Sequence, residues 1–266
     1  PISGIIMKYL DGFGGYQGWR WLFFWEAIPP VLIGIAVFIF LPSSPEKAAW
    51  LTAADVNRLN YDNPQNANDS KLYDSVLNAL SSPIVWLLGV VDGSLLLGLY
   101  TIAFWTPSLL HDDGIVSPVK IGLLSAIPQI AAVISMVFIG WSSDKYNERR
   151  LHIAIPIILG SMSMACIPFL IGNISALIIC ITISNMCILG ALPPFWVLPS
   201  LILKGSSAAI GLALAGSIAN IAGFFATALI GYARSVTGDM SGVIWIFSVL
   251  IFLGGISILF VRNDKI

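Results

Sequence analysis

Seven apolar runs, Trp19 to Leu41, Ile84 to Leu110, Ile121 to Trp141, Leu151 to Ile171, Ile174 to Leu203, Ala208 to Ala233 and Val243 to Val261, constrain this chain more than any other feature. Each reaches the roughly 20 residues that a helix needs to cross the hydrocarbon of a bilayer. Hydrocarbon offers the backbone no hydrogen-bonding partner, so runs of this length must close their bonds internally as helices. With 57% apolar and 10% charged residues, the chain has too little polar surface for a water-soluble domain. The expected fold class is therefore an all-α polytopic membrane protein in a lipid bilayer. A net charge of -1 with scattered basic residues gives no surface for nucleic acid.

The densest charge cluster, Gly140 to His152, lies between two of these runs and reads as a tight loop joining two spanning helices. Basic residues concentrate on the cytoplasmic side of a membrane, which places Lys145, Arg149 and Arg150 inside. With alternating spans, Lys47, Arg58, Lys71, Lys204, Arg262 and Lys265 fall on the same side, making nine basic residues. Lys8, Arg20, Lys120 and Arg234 fall opposite, making four. This bias puts the linker and the C-terminus in the cytoplasm.

Ahead of the first complete run, Pro1 to Leu10 reads as the last turns of a helix, followed by the turn Asp11-Gly12-Phe13-Gly14-Gly15. The start without Met is consistent with a C-terminal piece of a longer protein. Pro29-Pro30 predicts a kink in the first run, and Glu26 with Arg20 reads as a structural pair or cap. Between Ser43 and Ser82 hydropathy drops into a polar linker. Thr52 and Asp55 there have capping-box spacing, and Leu72, Tyr73, Val76, Leu77 and Leu80 recur at helical spacing. That second pattern fits either a surface amphipathic helix or a solvated linker. Cys166, Cys180 and Cys187 lack metal or redox spacing and read as small buried hydrophobes. No metal or other cofactor is expected.

The residues Gly140-Trp141-Ser142-Ser143-Asp144-Lys145, with Glu148-Arg149-Arg150, resemble the G-x-x-S-D-[RK] signature that the major facilitator superfamily carries between helices 8 and 9. Gly18-Trp19-Arg20-Trp21-Leu22-Phe23, Leu41-Pro42, Trp50-Leu51-Thr52 and Phe104-Trp105-Thr106-Pro107 resemble its anion:cation symporter branch. The resemblance implies the C-terminal part of a 12-helix bundle. Residues 1–41 would be the end of helix 5 and helix 6, 42–83 the cytoplasmic central linker, and 84–266 the six-helix C-terminal bundle. It further implies proton-coupled symport of a small organic anion, a sugar acid or aromatic carboxylate, across the cell membrane. The N-terminal bundle of the same protein would be the partner. By the same resemblance Asp144, Lys145, Arg149 and Arg150 form a gating loop that stabilises one state of alternating access; the alternative is that they only set topology. Trp196 and Asn220 match branch positions that border the substrate.

Other site candidates come from the residues themselves. Pro193-Pro194 and Pro199 interrupt the run that holds Asn185 and Trp196, and interruptions expose backbone at mid-membrane. Eleven residues apart, Asn185 and Trp196 would share a face of an unbroken helix. Gly216, Asn220, Gly223 and Thr227 form a small or polar stripe, suited to close packing or, at Asn220, to substrate. Tyr100 and Gln129 are polar residues at mid-membrane depth. Trp105 reads as part of an interfacial aromatic belt. Asp92, a carboxylate well inside an apolar run, is a candidate proton site or an internally bonded group.

Two other functions compete. A seven-helix receptor, including a retinal protein, fits poorly: the last run has no lysine, and a long linker follows the first complete run. A membrane enzyme would need a catalytic constellation, and His111 and His152 stand alone without H-E-x-x-H, G-x-S-x-G or G-x-x-x-x-G-K motifs.

Overall fold

The computed structural model describes residues 1–62, 77, 79–203 and 206–261. The described residues are almost all helical, and seven helices among them are long and apolar enough to cross a membrane. The chain divides into two compact units, Ile2–Lys71 and Leu72–Ile266, the second also taking in Pro1. Most of the helix expected from Leu72, Tyr73 and Val76 lies outside the described residues, as do Lys71, Lys204, Arg262 and Lys265.

In the unit Ile2–Lys71, α1 (Ile2–Tyr9) turns back into α2 (Gly18–Phe40) through a short 3-10 segment, Phe13–Gly15. The turn is fixed by Asp11, whose Oδ1 accepts the Gly18 N–H at 2.7 Å. Ser3 donates to Glu26 at 2.7 Å. The Arg20 guanidinium lies over the Tyr16 and Trp19 rings, 5.7 and 5.4 Å from their centroids. Glu26 and Arg20 thus find separate partners instead of the pair expected from spacing. α2 continues through Pro29 and Pro30. The Thr52–Asp55 box forms and opens α3 (Ala53–Asp62): Thr52 N–H donates to Asp55 Oδ2 at 3.1 Å and Asp55 N–H to Thr52 Oγ1 at 3.3 Å. The Thr52 hydroxyl, which donates to Asp55 Oδ2 at 2.6 Å, and then the Thr52 N–H lower the Asp55 pKa.

The larger unit contains α4 (Pro83–Asp112), α5 (Pro118–Tyr146), α6 (Arg150–Cys166), α7 (Ile174–Gly190), α8 (Leu192–Ile202), α9 (Ser206–Thr237) and α10 (Ser241–Ser257). Local chemistry sets the ends. Pro83 and Pro118 occupy first-turn positions, where no intrahelical N–H bond is lost. Asn173 caps α7 by accepting the Ala176 N–H at 3.1 Å. α5 runs to Tyr146 and stops at Asn147, which takes the left-handed conformation (φ 48°) suited to a helix C-terminus. The expected loop from Gly140 to His152 therefore shrinks to Asn147, Glu148 and Arg149. The run from Ile174 is interrupted at Ala191 and resumes with Pro193 and Pro194 in the first turn of α8, where their missing N–H groups cost no intrahelical bond.

α4 is the centre of this unit and packs on α9, α10 and α7; α6 packs on α7 and α10, and α5 on α7. Lipid tails are as apolar as the helices, so association depends on close packing and interhelical hydrogen bonds. Both are present. A Cβ on Gly89 would stand 2.7 Å from the Ile218 side chain, and one on Gly254 would overlap Ser94. Ser135 donates to the Met186 carbonyl at 2.8 Å, Ser184 to the Gly160 carbonyl at 2.9 Å, and Trp245 to the Ala165 carbonyl at 3.1 Å. Thr101 and Thr106 satisfy their buried hydroxyls on the carbonyls one turn back. Cys180 is buried and Cys187 half-buried, but Cys166 is exposed, contrary to expectation.

Gly254→Ala is expected to cost roughly 1–3 kcal/mol, since the new methyl must displace Ser94 from a filled seam. Gly216, whose Cβ position meets open space, should accept Ala with no loss and a gain of up to about 1 kcal/mol. Thermal unfolding of the purified protein in one detergent checks the contrast.

Candidate functional site

The α4–α9 seam opens into a groove of about 670 Å³. Tyr100, Phe104, Trp105 and Ser108 form its α4 wall; Asn220, Gly223, Phe224 and Thr227 form its α9 wall. These positions recur every three or four residues, so each helix offers one face. Tyr100 meets Phe104 edge-on, with centroids 5.6 Å apart. A Cβ on Gly223 would overlap the Tyr100 ring, so glycine lets that ring lie on the α9 backbone. Asn220 spends one amide N–H on the Gly216 carbonyl at 2.8 Å, and Thr227 donates to the Phe224 carbonyl at 3.0 Å.

Trp105 was expected at an aromatic belt, yet its ring lines this groove against Gly231. Its buried Nε1–H has no acceptor among the described residues. An unpaired buried donor costs about 1–3 kcal/mol. The signal for it was the spacing Tyr100, Phe104, Trp105, Ser108, visible once Tyr100 was singled out. Aromatic walls with neutral donors can stack a planar or hydroxylated molecule and donate to its oxygens. The lining supplies no charge.

Tyr100 and Asn220 are thus brought together, and the other substrate candidates stand elsewhere. Asn185 is fully buried and donates to the Pro128 carbonyl at 3.0 Å, a tie between α7 and α5. Trp196 on α8 is 49% exposed and edge-on to buried Phe195. The break at Ala191 and this difference in burial remove the shared face expected for Asn185 and Trp196. Gln129 lies on the exposed face of α5, outside the groove lining.

Asp92 lies eight residues before Tyr100 on α4 and is 1% exposed. Its Oδ1 has no hydrogen-bond partner among the described residues. A charge inside a spanning helix costs a few kcal/mol.

At the α5–α6 connection, Arg149 donates to Asp144 at 2.6 Å and to Ser143 Oγ at 2.8 Å. Arg149 is mostly buried, while Asp144 is largely exposed. Arg150 donates to the Leu259 carbonyl, tying the start of α6 to the end of α10. Lys145 lies 4.9 Å from the Trp141 ring centroid and 5.5 Å from that of Tyr146. Glu148, given no separate role by the sequence, caps α6. It accepts the Leu151 N–H at 2.8 Å, the His152 N–H at 3.2 Å and contacts His152 Nδ1 at 2.9 Å. His152 Nε2 reaches Ser142 Oγ at 3.0 Å. Burial raises the Glu148 carboxyl, but the bonds from Leu151 and His152 outweigh it and hold the pKa below the ordinary 4.5.

A family model described as Major Facilitator Superfamily matches residues 1–227. The chain is 41% identical over 251 residues to a Pseudomonas putida protein named for metabolite transport, NicT, covering 93% of this chain and 57% of that protein. It is 34% identical over 259 residues to an Agrobacterium vitis protein named for tartrate transport, covering 96% and 59%. A 4-hydroxybenzoate transporter of Pseudomonas putida, PcaK, is 30% identical over 112 residues, covering 42% and 24%. The chain spans less than two thirds of the length of each.

Gly223→Ala should destabilise by roughly 1–3 kcal/mol by displacing the Tyr100 ring, and Tyr100→Ala in the same chain should recover most of that loss; a double-mutant cycle of thermal stabilities measures the coupling. For the α6 cap, a lowered carboxylate pKa means its stabilisation is complete above about pH 4.5 and is lost as pH falls through the lower folded value. Glu148→Gln should flatten this acid-side decline in a pH series of unfolding midpoints.

Proposed function

Because the chain belongs to the Major Facilitator Superfamily, we propose that it is part of a secondary transporter that carries a small organic anion together with a proton by alternating access, and is not an enzyme. The observation that carries this reading is the α4–α9 groove, where Tyr100 and Asn220 place polar groups between the aromatic walls of Phe104, Trp105 and Phe224. A sugar acid or an aromatic carboxylate fits that chemistry. The names of two relatives, for tartrate and 4-hydroxybenzoate, fall in the same chemical classes.

In this reading α2 is the last helix of an N-terminal bundle and residues 42–83 are the central linker. α4 to α10 make the C-terminal six spans, α7 and α8 together forming one broken span. The protein sits in the cell membrane with the linker and the α5–α6 connection cytoplasmic, as the positive-inside bias directs. Trp196, Gln129 and Asn220, exposed on α8, α5 and α9, are the further substrate contacts in this reading. Asp92 is the proton site, buried on the helix that also carries Tyr100. The Asp144–Arg149 pair, with Lys145 and Arg150, holds the cytoplasmic gate in one state and parts in the other.

Full-length protein in proteoliposomes should accumulate carboxylates when a pH gradient is imposed. Asn220→Ala should raise KM roughly tenfold, and Asp92→Asn should abolish gradient-driven accumulation while retaining exchange of labelled for unlabelled substrate. A full anion panel without gradient-dependent uptake overturns the reading. Unchanged kinetics in Asn220→Ala remove that residue from the site, and full accumulation by Asp92→Asn removes the proton role.

A further inference from the structure

The substrate groove has neutral walls, yet the substrate class proposed above is anionic, so its charge must be met elsewhere on the path. Beyond the groove, on the same α4–α9 seam, Arg234 Nη2 donates to Asp112 Oδ1 at 2.7 Å. Arg234 lies seven residues past Thr227, about 10 Å along the helix, and Asp112 four residues past Ser108, about 6 Å. Between groove and ion pair the Trp105 ring covers Gly231, its carbons 3.8 Å from where a Cβ would stand. The Trp105 ring thus reaches from the groove wall to Gly231, three residues before Arg234 on α9. Arg234 and Asp112 are both partly exposed, with 34% and 40% of their side chains accessible. One Nη is committed to Asp112 among the described contacts. A guanidinium has five N–H donors in a planar fork that matches a carboxylate.

We propose that Arg234 is an anion-capture residue at the mouth of the α4–α9 groove, its guanidinium exchanging Asp112 for the carboxylate of the arriving organic anion. Asp112 is a competing internal carboxylate. It keeps the arginine positioned on the seam and sets a threshold that weakly bound anions do not cross. The groove wall of Trp105, Phe104 and Tyr100 lies next along the seam toward Asn220. The proposal rests on the reading of the groove as a carboxylate path.

A purely structural ion pair and a capture site differ in the sign of two substitutions. If the pair only ties α4 to α9, Arg234→Gln and Asp112→Asn break the same bond and act alike. If Arg234 captures the anion, they act in opposite directions. The test is initial-rate carboxylate uptake by the full-length protein in proteoliposomes, normalised to inserted protein, using the best substrate of a sugar-acid and aromatic-acid panel. Arg234→Gln should raise KM roughly tenfold, the loss of one charge-assisted hydrogen bond. Asp112→Asn should lower KM a few fold, and Arg234→Lys, which keeps the charge but loses the fork, should fall between Gln and wild type. KM shifts of the same sign in Arg234→Gln and Asp112→Asn, or none in either, overturn the proposal while leaving the groove reading standing. Wild-type protein that takes up no carboxylate overturns both.

Discussion

Helices in a bilayer gain nothing from hiding apolar surface from an apolar solvent, and every feature of the larger unit follows from how this chain associates them regardless. Small residues let backbones approach: Gly89 admits Ile218, Gly254 admits Ser94, and Gly223 admits the Tyr100 ring. Hydroxyls and amides on one helix then reach carbonyls of the next, as Ser135, Ser184 and Asn185 do. These contacts make α4 the centre of the unit. The packing also decides where a groove can exist, because the glycine that admits Tyr100 brings its ring to the wall opposite Asn220.

Polarity is divided along the α4–α9 seam by physical cost. Within the seam the groove uses neutral polar groups and aromatic faces, which need no compensating charge in a medium of low dielectric. Full charges lie toward the helix ends, where Arg234 meets Asp112 and Arg149 meets Asp144 with part of each pair exposed. Asp92 is the exception, a buried carboxylate eight residues from Tyr100 with an oxygen unpaired among the described residues. The α5–α6 connection adds a second economy, since Glu148 caps a helix while Arg149 and Arg150 tie that corner to Asp144 and to Leu259.

The apolar runs were sufficient to determine the spans, because length and hydrophobicity alone make helices in hydrocarbon. Local chemistry was equally legible in the Thr52–Asp55 box and in the helix break ahead of Pro193, since both rest on groups a few residues apart. The Gly140–His152 motif was legible as a family signature, though only Asn147, through its left-handed conformation, shows where the helix stops. The site was half legible. Tyr100 and Asn220 were named from residue type and position and meet in one groove. Asn185, singled out by its spacing from Trp196, donates instead to the Pro128 carbonyl, and Trp105, read as part of a belt, lines the groove.

Sequence by itself thus determined which segments are spanning helices, their ends to within about two turns, and which residues carry polarity into the membrane. Tertiary structure alone decided which face of each helix meets a neighbour. In a nearly uniform apolar helix the period of hydrophobicity no longer marks an inside and an outside. A carboxamide can be buried against a neighbouring backbone or left on an open face, and only packing decides which: Asn185 is buried against the Pro128 carbonyl of α5, whereas Asn220, bonded to Gly216 of its own helix, stays on the groove wall facing α4.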